Sequence, residues 1–246
     1  MKTLITGATG FVGAAVLREL LNNGHNVKAL VRTSSDLQNL KGLNIEIVYG
    51  DLKDKDSLSR ALKGCKYLFH VAADYRLWVP KPKNIYENNV EGTNNLMFEA
   101  LRLEIEKIVY TSSVAVLGKP KNGDIANETT PVDITQMIGH YKKSKFLAEQ
   151  KVQSLCKEKK LPVVIVNPAA PVGPRDIKPT PTGKMVLDAA SKKIPAYLDT
   201  GLNIVHVEDV AAGHIKAFNK GKIGERYILG GENLTLKKML EIIAKL

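Results

Sequence analysis

Tyr141 and Lys145 stand four residues apart in a stretch, HYKKSKFLAEQ, that reads as a helix beginning near His140. One helical turn separates them, so both side chains leave the same face. The chemistry this spacing offers is proton transfer. A phenol titrates near pH 10, too high for a base at neutral pH. An ammonium one turn away favours the phenolate and lowers that value. The same ammonium can hold ribose hydroxyls. A hydroxyl is then needed to polarise the substrate oxygen, and Thr111-Ser112-Ser113 closes a β-branched apolar run that reads as a strand, Lys107–Thr111. Ser113 is chosen over Ser112 because alternation along a strand puts it on the side of Thr111. A tyrosine and a lysine at this spacing often occur by chance. The weight comes from what precedes them in order.

What precedes them is the opening MKTLITGATGFVG. Lys2–Thr6 reads as a buried strand that breaks into a turn, Gly7, Ala8, Thr9, Gly10, Phe11, Val12 and Gly13, and then into an amphipathic helix near residues 14–22. Strand, glycine turn and helix open a dinucleotide-binding βαβ unit. Gly7 allows the tight turn, Gly10 lets the backbone approach a pyrophosphate, and Gly13 lets the helix pack closely. Thr9, Phe11 and Val12 lie in the same cradle, and the helix N-terminus faces the phosphates. A second strand, 27–31, delivers Arg32 where an acidic side chain would select NAD. A guanidinium followed by Thr33, Ser34 and Ser35 is a fork for a phosphate. The expected cofactor is therefore NADP by preference, with NAD possible. The plain alternative makes Arg32 a surface arginine, and Asp36 could erode the preference.

The remaining elements position these groups. A third strand, 45–49, leads to Asp51-Leu52, and Asp51 could cap a helix over 57–63. A fourth, 67–71, ends in His70-Val71-Ala72-Ala73. Small residues such as Val71, Ala72 and Ala73 at a strand's carboxyl end let a cofactor pass over the sheet, while His70 reads as a packed side chain. Residues 74–82, DYRLWVPKP, are irregular, with Tyr75 and Trp78 expected at the substrate mouth. A long helix spans 84–103. A sixth strand, 162–166, ends at Asn167-Pro168, with Pro168 beside the cofactor and Asn167 beside the substrate. Residues 169–182 carry four prolines, which suits either a stiff loop over a ligand or a rigid connector; the loop before His140 contains Gly118, Pro120, Gly123 and Pro131. A strand over 203–207, a helix from Glu208, a strand at Arg226–Leu229 and a helix over 234–246 follow. The fold class is α/β, a doubly wound parallel Rossmann sheet with a small, shortened C-terminal substrate-binding region. Residues 1–166 form the dinucleotide-binding domain. Residues 167–246 form a mixed region that completes the sheet and supplies a reduced substrate lobe.

Composition narrows the class. A chain of 246 residues with 44% apolar and 25% charged residues buries one sizeable core. No apolar run is long enough for a membrane span, no leader precedes the first strand, and Cys65 and Cys156 read as small apolar fillers. The cytoplasm is expected, and no metal site. The net charge of +11 raises nucleic acid or membrane surfaces as partners, but the lysines are scattered along helices without interleaved aromatics, so neither is expected.

From Met1 to about Leu240 the chain resembles the extended short-chain dehydrogenase/reductases. Within them it resembles the group called hopanoid-associated sugar epimerases, themselves similar to dihydroflavonol reductases. HVAADYRLW (from His70), NVEGT (from Asn89), YTSSVAVLG (from Tyr110) and NPAAPVGPRD (from Asn167) carry the resemblance. It implies that Asn89 supports the active site from a helix, that the Asp51 carboxylate accepts from the adenine amino group with Leu52 alongside, and that Ser113 is the serine of the catalytic set. It implies a homodimer pairing the long helix and the Tyr141 helix as a four-helix bundle, with Leu96, Met97, Ala100, Leu101, Phe146, Leu147 and Val152 as its apolar positions. It also implies an NAD(P)-dependent oxidoreductase acting on a hydroxyl or carbonyl of a small substrate. Arg32 favours a reductase and the group's name favours an epimerase; a non-catalytic dinucleotide-binding module is a third class. Relatives continue for several elements past the position of Leu246, so a reduced substrate region is expected.

Overall fold

Alternate strand residues feed two different cores, and that alternation sets the architecture. In the computed structural model, which describes residues 1–120 and 124–245, β5 (Lys107–Thr111) sends Ile108 and Tyr110 to one core and Val109 to the other. The same division holds in β1 (Lys2–Thr6), with Leu4 against Ile5, in β4 (Tyr67–His70), with Leu68 against Phe69, and in β6 (Val163–Pro168). Strands buried on both faces by apolar residues form a parallel sheet covered by helices. Gly123 and Leu246 lie outside the described residues.

The sheet has seven parallel strands in the order β3-β2-β1-β4-β5-β6-β9, where β2 is Asn26–Val31, β3 is Glu46–Tyr49 and β9 is Arg226–Leu229. Strand order reverses between β1 and β4, the point where such sheets open a crevice at their carboxyl ends. Helices α1 (Phe11–Asn22) and α7 (Val207–Lys220) cover one face. Helices α2 (Lys55–Leu62), α4 (Gly92–Arg102) and α5 (His140–Lys159) cover the other. The long helix expected over 84–103 is present in three pieces: α3 (Lys83–Tyr86), a π turn at Glu87–Glu91, and α4.

The C-terminal third departs most from expectation. Residues 169–182 are not a plain loop, because β7 (Ala170–Val172) lies within them and α6 (Pro181–Ala190) begins there. Thr180 caps α6, its hydroxyl accepting from the Gly183 N–H at 3.1 Å, and Pro181 occupies the first turn where no donor is needed. β7 pairs parallel with β8 (Gly201–His206), and β8 pairs antiparallel with β10 (Glu232–Thr235), a polar strand that the sequence reading merged into the last helix. That helix, α8 (Leu236–Ile243), starts only after its cap, Thr235. Asp51 does not cap α2. Asp54 does, accepting from the N–H groups of Asp56 and Ser57, because the helix starts at Lys55. Of the apolar positions on the two helices offered for the bundle, Leu96, Met97, Ala100 and Val152 are buried against the sheet, and Phe146 packs on Val116 and Met137.

Two wholly buried histidines lock neighbouring elements. His70 joins β1 to α4 through Thr6 at 2.7 Å and Thr93 at 2.9 Å, a packed role as expected. His214 joins α7 to β5 through Thr111 at 2.9 Å and the Val210 carbonyl at 2.7 Å. Burial pushes His70 down to about 3 and His214 down to about 4, from an ordinary 6.5. Below pH 6.5 the unfolded chain therefore takes up protons that the folded chain refuses, and stability falls as pH drops toward those values. At pH 5 each histidine should cost about 2 kcal/mol relative to pH 7.5. Urea midpoints measured at the two pH values should show this fall, and His214→Gln should flatten it. A profile unchanged between wild type and variant would contradict the assignment.

Candidate active site

The glycine turn is wedged between its own helix and the end of β4. Gly7 holds φ +78°, and a Cβ there would stand 2.6 Å from the backbone nitrogen of Ala72. A Cβ on Gly13 would stand 2.0 Å from the Gly7 carbonyl oxygen, so α1 approaches the turn as closely as backbone allows. At Gly10 the only near atom is that same carbonyl, at 3.3 Å. The first turn of α1 has no side-chain cap and no acidic residue, which leaves its N–H groups and positive dipole end to a ligand. Phe11 is in the core, Val12 is half-buried, and Thr9 is held through its carbonyl by the Asn39 amide at 3.1 Å. Val71, Ala72 and Ala73, half-buried, form the facing rim, and Pro168 is buried at the end of β6.

Arg32 is exposed at the end of β2 and, with Thr33, Ser34, Asp51 and Arg60, lines a cavity of about 320 Å³. The Asp51 carboxylate accepts the Lys53 N–H at 2.9 Å, and Leu52 packs beneath Gly92.

Ser113, Tyr141 and Lys145 converge at the carboxyl ends of β5 and β6. Burial pushes the Tyr141 phenol upward, and the neighbouring Ser113 hydroxyl opposes this. The depression expected from Lys145 is not what this arrangement produces. Lys145 is buried, and its ammonium turns away to the Thr111 carbonyl (2.8 Å) and the Tyr110 hydroxyl (3.1 Å). Burial takes that ammonium down to about 8, with Glu149, one turn further on, pulling up. Strand alternation does not select Ser113 either. Thr111 faces α7, so a continued strand would carry Ser113 to the wrong side. The strand stops at Thr111 instead, and Ser113 caps a short 3₁₀ turn, its hydroxyl accepting from the Ala115 N–H at 3.1 Å. Ser112 is buried, its hydroxyl without a partner among the described residues.

Asn89 and Asn167 act on backbone. Asn89 sits in the π turn, a geometry that often marks functional sites. Its amide accepts the Asp74 N–H (2.7 Å) and donates to the Asp74 carbonyl (2.8 Å) and the Ser144 hydroxyl (3.0 Å), which donates to the Tyr141 carbonyl. Asn167, fully buried, donates to the Ser113 carbonyl (3.0 Å) and the Glu149 carboxylate (2.9 Å). Tyr75, expected at the mouth, lies near Asp176 of the 169–182 segment, and Trp78 is largely exposed.

A model of the NAD dependent epimerase/dehydratase family matches residues 3–230. The chain belongs to that family. It is an NAD(P)-dependent oxidoreductase of the short-chain dehydrogenase/reductase superfamily. It is 48% identical over 240 residues to a putative dihydroflavonol 4-reductase of Synechocystis sp., covering 96% of this chain and 69% of that protein. It is 38% identical to sterol demethylase protein B of Methylococcus capsulatus, covering all of this chain and 74% of that protein. The crystal structure of gox2253 matches with a TM-score of 0.96 and 60% identity, over 99% of this chain and 74% of that one. The UDP-glucose 4-epimerase of Thermus thermophilus, in complex with NAD, matches with a TM-score of 0.86 and 27% identity, over 100% and 83% of the two chains.

The cradle of this family member is braced by residues the sequence reading passed over. The Asn39 amide donates to the carbonyls of Thr9 and of Arg175, tying the glycine turn to the 173–176 loop, and Arg18 donates to the Asn39 carbonyl. Arg175, in left-handed backbone at φ +74°, pairs with Glu208 at 2.7 Å. Glu149, almost wholly buried, pairs with Arg226 at 3.1 Å, and Arg226 also donates to the Glu128 carbonyl. Glu149 alone was legible in advance, since it continues the Tyr141–Lys145 face by four residues. Among the described residues no His, Cys, Asp and Glu side chains cluster to hold a metal, and no helix is long and apolar enough to cross a membrane.

Proposed function

We propose that this chain is an NADP-linked reductase acting on a carbonyl, or in reverse a hydroxyl, of a small organic molecule. The observation that carries the reading is the half-buried Tyr141 phenol with the Ser113 hydroxyl beside it, on the helix that carries Lys145. The uncapped first turn of α1, Gly10 facing open space beyond its own turn, and the small residues at the end of β4 suit a dinucleotide. When bound, that cofactor supplies the hydride acceptor or donor. Tyr141 gives its proton to the substrate oxygen on reduction and takes it back on oxidation, and Ser113 donates a hydrogen bond to that oxygen. Lys145 holds ribose hydroxyls and places positive charge near the phenol as it ionises. Asn89 and Asn167 hold the backbones of Tyr141 and Ser113 and touch no reacting atom. Tyr75 and Trp78 flank the substrate mouth, and residues 167–246 supply its second side while completing the main sheet. The unpaired Cys65 and Cys156 are consistent with the cytoplasm.

An epimerase reading is favoured by the family description and by the NAD-bound epimerase neighbour. An epimerase retains its cofactor through turnover and rests with it oxidised, so the amount of nicotinamide dinucleotide released when the purified protein is denatured separates the two.

Three outcomes test these proposals. Tyr141→Phe should lower NADPH oxidation across a panel of aldehydes and ketones by about a hundredfold or more, with NADP⁺ affinity nearly unchanged. Near-wild-type rates in that variant would remove Tyr141 from the mechanism. On the cofactor, a charge-assisted arginine–phosphate contact contributes about 1.5–3 kcal/mol. Calorimetric titration should then find NADP⁺ tighter than NAD⁺ by about tenfold to a hundredfold, with the order reversed in Arg32→Asp. Tighter NAD⁺ binding that the substitution leaves alone would make Arg32 a surface residue. Finally, a homodimer through α4 and α5 would use the exposed Phe98 with the half-buried Leu101 and Leu147. Sedimentation velocity at micromolar protein should show a dimer, and a monomer there rejects it.

A further inference from the structure

An ammonium has three N–H donors, and in Lys145 the chain itself takes two of them. One goes to the Thr111 carbonyl at 2.8 Å and one to the Tyr110 hydroxyl at 3.1 Å. Tyr110 is 0% exposed, and its ring has no freedom to move away. The ring stacks on His70, with centroids 5.6 Å apart and planes at 25°, and the ammonium sits 4.8 Å from the ring centroid. His70 is itself held at both nitrogens, by Thr6 at 2.7 Å and by Thr93 at 2.9 Å. The Thr6 hydroxyl also accepts the Ala72 N–H at 3.2 Å. A string of buried polar side chains thus runs from the ends of β1 and β4, beside the glycine turn, to the lysine. Nothing in proton transfer by Tyr141 and Ser113 requires a phenol at position 110.

We propose that Tyr110 is a positioning residue for Lys145, its hydroxyl and the Thr111 carbonyl together orienting the buried ammonium so that its third N–H is left for a ligand. This rests on the role proposed for Lys145 above. A phenylalanine at 110 would fill the same space and keep the stacking on His70. It would leave an ammonium N–H without an acceptor in a buried site, a loss that falls on the charged form alone. The groups facing that ammonium are Tyr110 from β5, His70 from β4 and Glu149 from α5. His70 is kept neutral by burial, with the nearby ammonium adding to the effect, and burial pushes the Tyr110 phenol well up, so neither carries charge at neutral pH. Glu149 is the one opposing charge, and it is shared with Arg226 and Asn167. Removing the Tyr110 hydroxyl therefore lowers the pH at which Lys145 loses its proton.

The test compares wild type, Tyr110→Phe, Lys145→Met and the double variant in calorimetric titrations with NADP⁺ and NAD⁺ at pH 7. The Lys145 ε-carbon resonance is followed against pH in wild type and Tyr110→Phe. Lys145→Met should weaken binding by about tenfold or more, and Tyr110→Phe by about three- to tenfold. The double variant should bind no more weakly than Lys145→Met, because Tyr110 acts only through the lysine. The Lys145 titration should move down by about one pH unit in Tyr110→Phe. Losses that add in the double variant, or an unmoved Lys145 titration, would overturn the role of Tyr110. Wild-type affinity in Lys145→Met would instead overturn the role of Lys145 in cofactor binding, and the resonance shift would then decide on Tyr110 by itself.

Discussion

A charged nitrogen taken out of water must be given acceptors or it loses its proton. Much of this molecule is arranged around that requirement at Lys145. Helix α5 carries Tyr141, Lys145 and Glu149 along one face, and the sheet edge opposite them supplies what each lacks. The Thr111 carbonyl and the Tyr110 hydroxyl meet the ammonium, while Asn167 and Arg226 meet the Glu149 carboxylate. Removing one partner of such a buried pair costs about 3–5 kcal/mol. That is a large share of the stability of an ordinary domain. The same contacts that keep α5 on the sheet therefore also set the direction in which the lysine points.

The cradle at the other end of the crevice depends on backbone rather than charge. Gly7 and Gly13 admit no side chain because Ala72 and the turn's own carbonyl occupy the space. The turn is held from outside by one amide, Asn39, which bonds Thr9 and the 173–176 loop together. That loop belongs to the region read as the substrate lobe. The two parts of the chain are consequently not independent units: α7 packs on α1, and β9 enters the main sheet beside β6.

What could be read in the sequence was whatever repeats at a fixed period or breaks in a recognisable way. The apolar strands, the glycine turn and the one-turn spacing of Tyr141 and Lys145 are of this kind, because burial on both faces and helix geometry leave few alternatives. The elements missed are short and polar or rich in proline. Thr180-Pro181 is a sound helix start, but four prolines in fourteen residues hid it, and β10 contains Glu232 and Asn233 where an apolar pattern would be sought. The direction of the Lys145 side chain was not legible either. Spacing says which helix face a residue shares, but the acceptors that capture an ammonium come from a strand thirty-odd residues earlier. Of the two grounds for Ser113, the resemblance and strand alternation, the second does not hold, because the strand ends at Thr111.

The partner of Glu149 also bears on how the protein is made. Arg226 lies 77 positions after Glu149, at the head of a strand that slots in next to β6. While the chain emerges from the ribosome, α5 and the first six strands are available well before that guanidinium is, so the carboxylate spends an interval without its ion-pair partner. At elongation rates of about 5–20 residues per second, that interval lasts several seconds. Until then Asn167 is the partner that β6 offers the carboxylate. The ion pair that ties α5 to the far side of the sheet is thus completed only once the last parallel strand has been made.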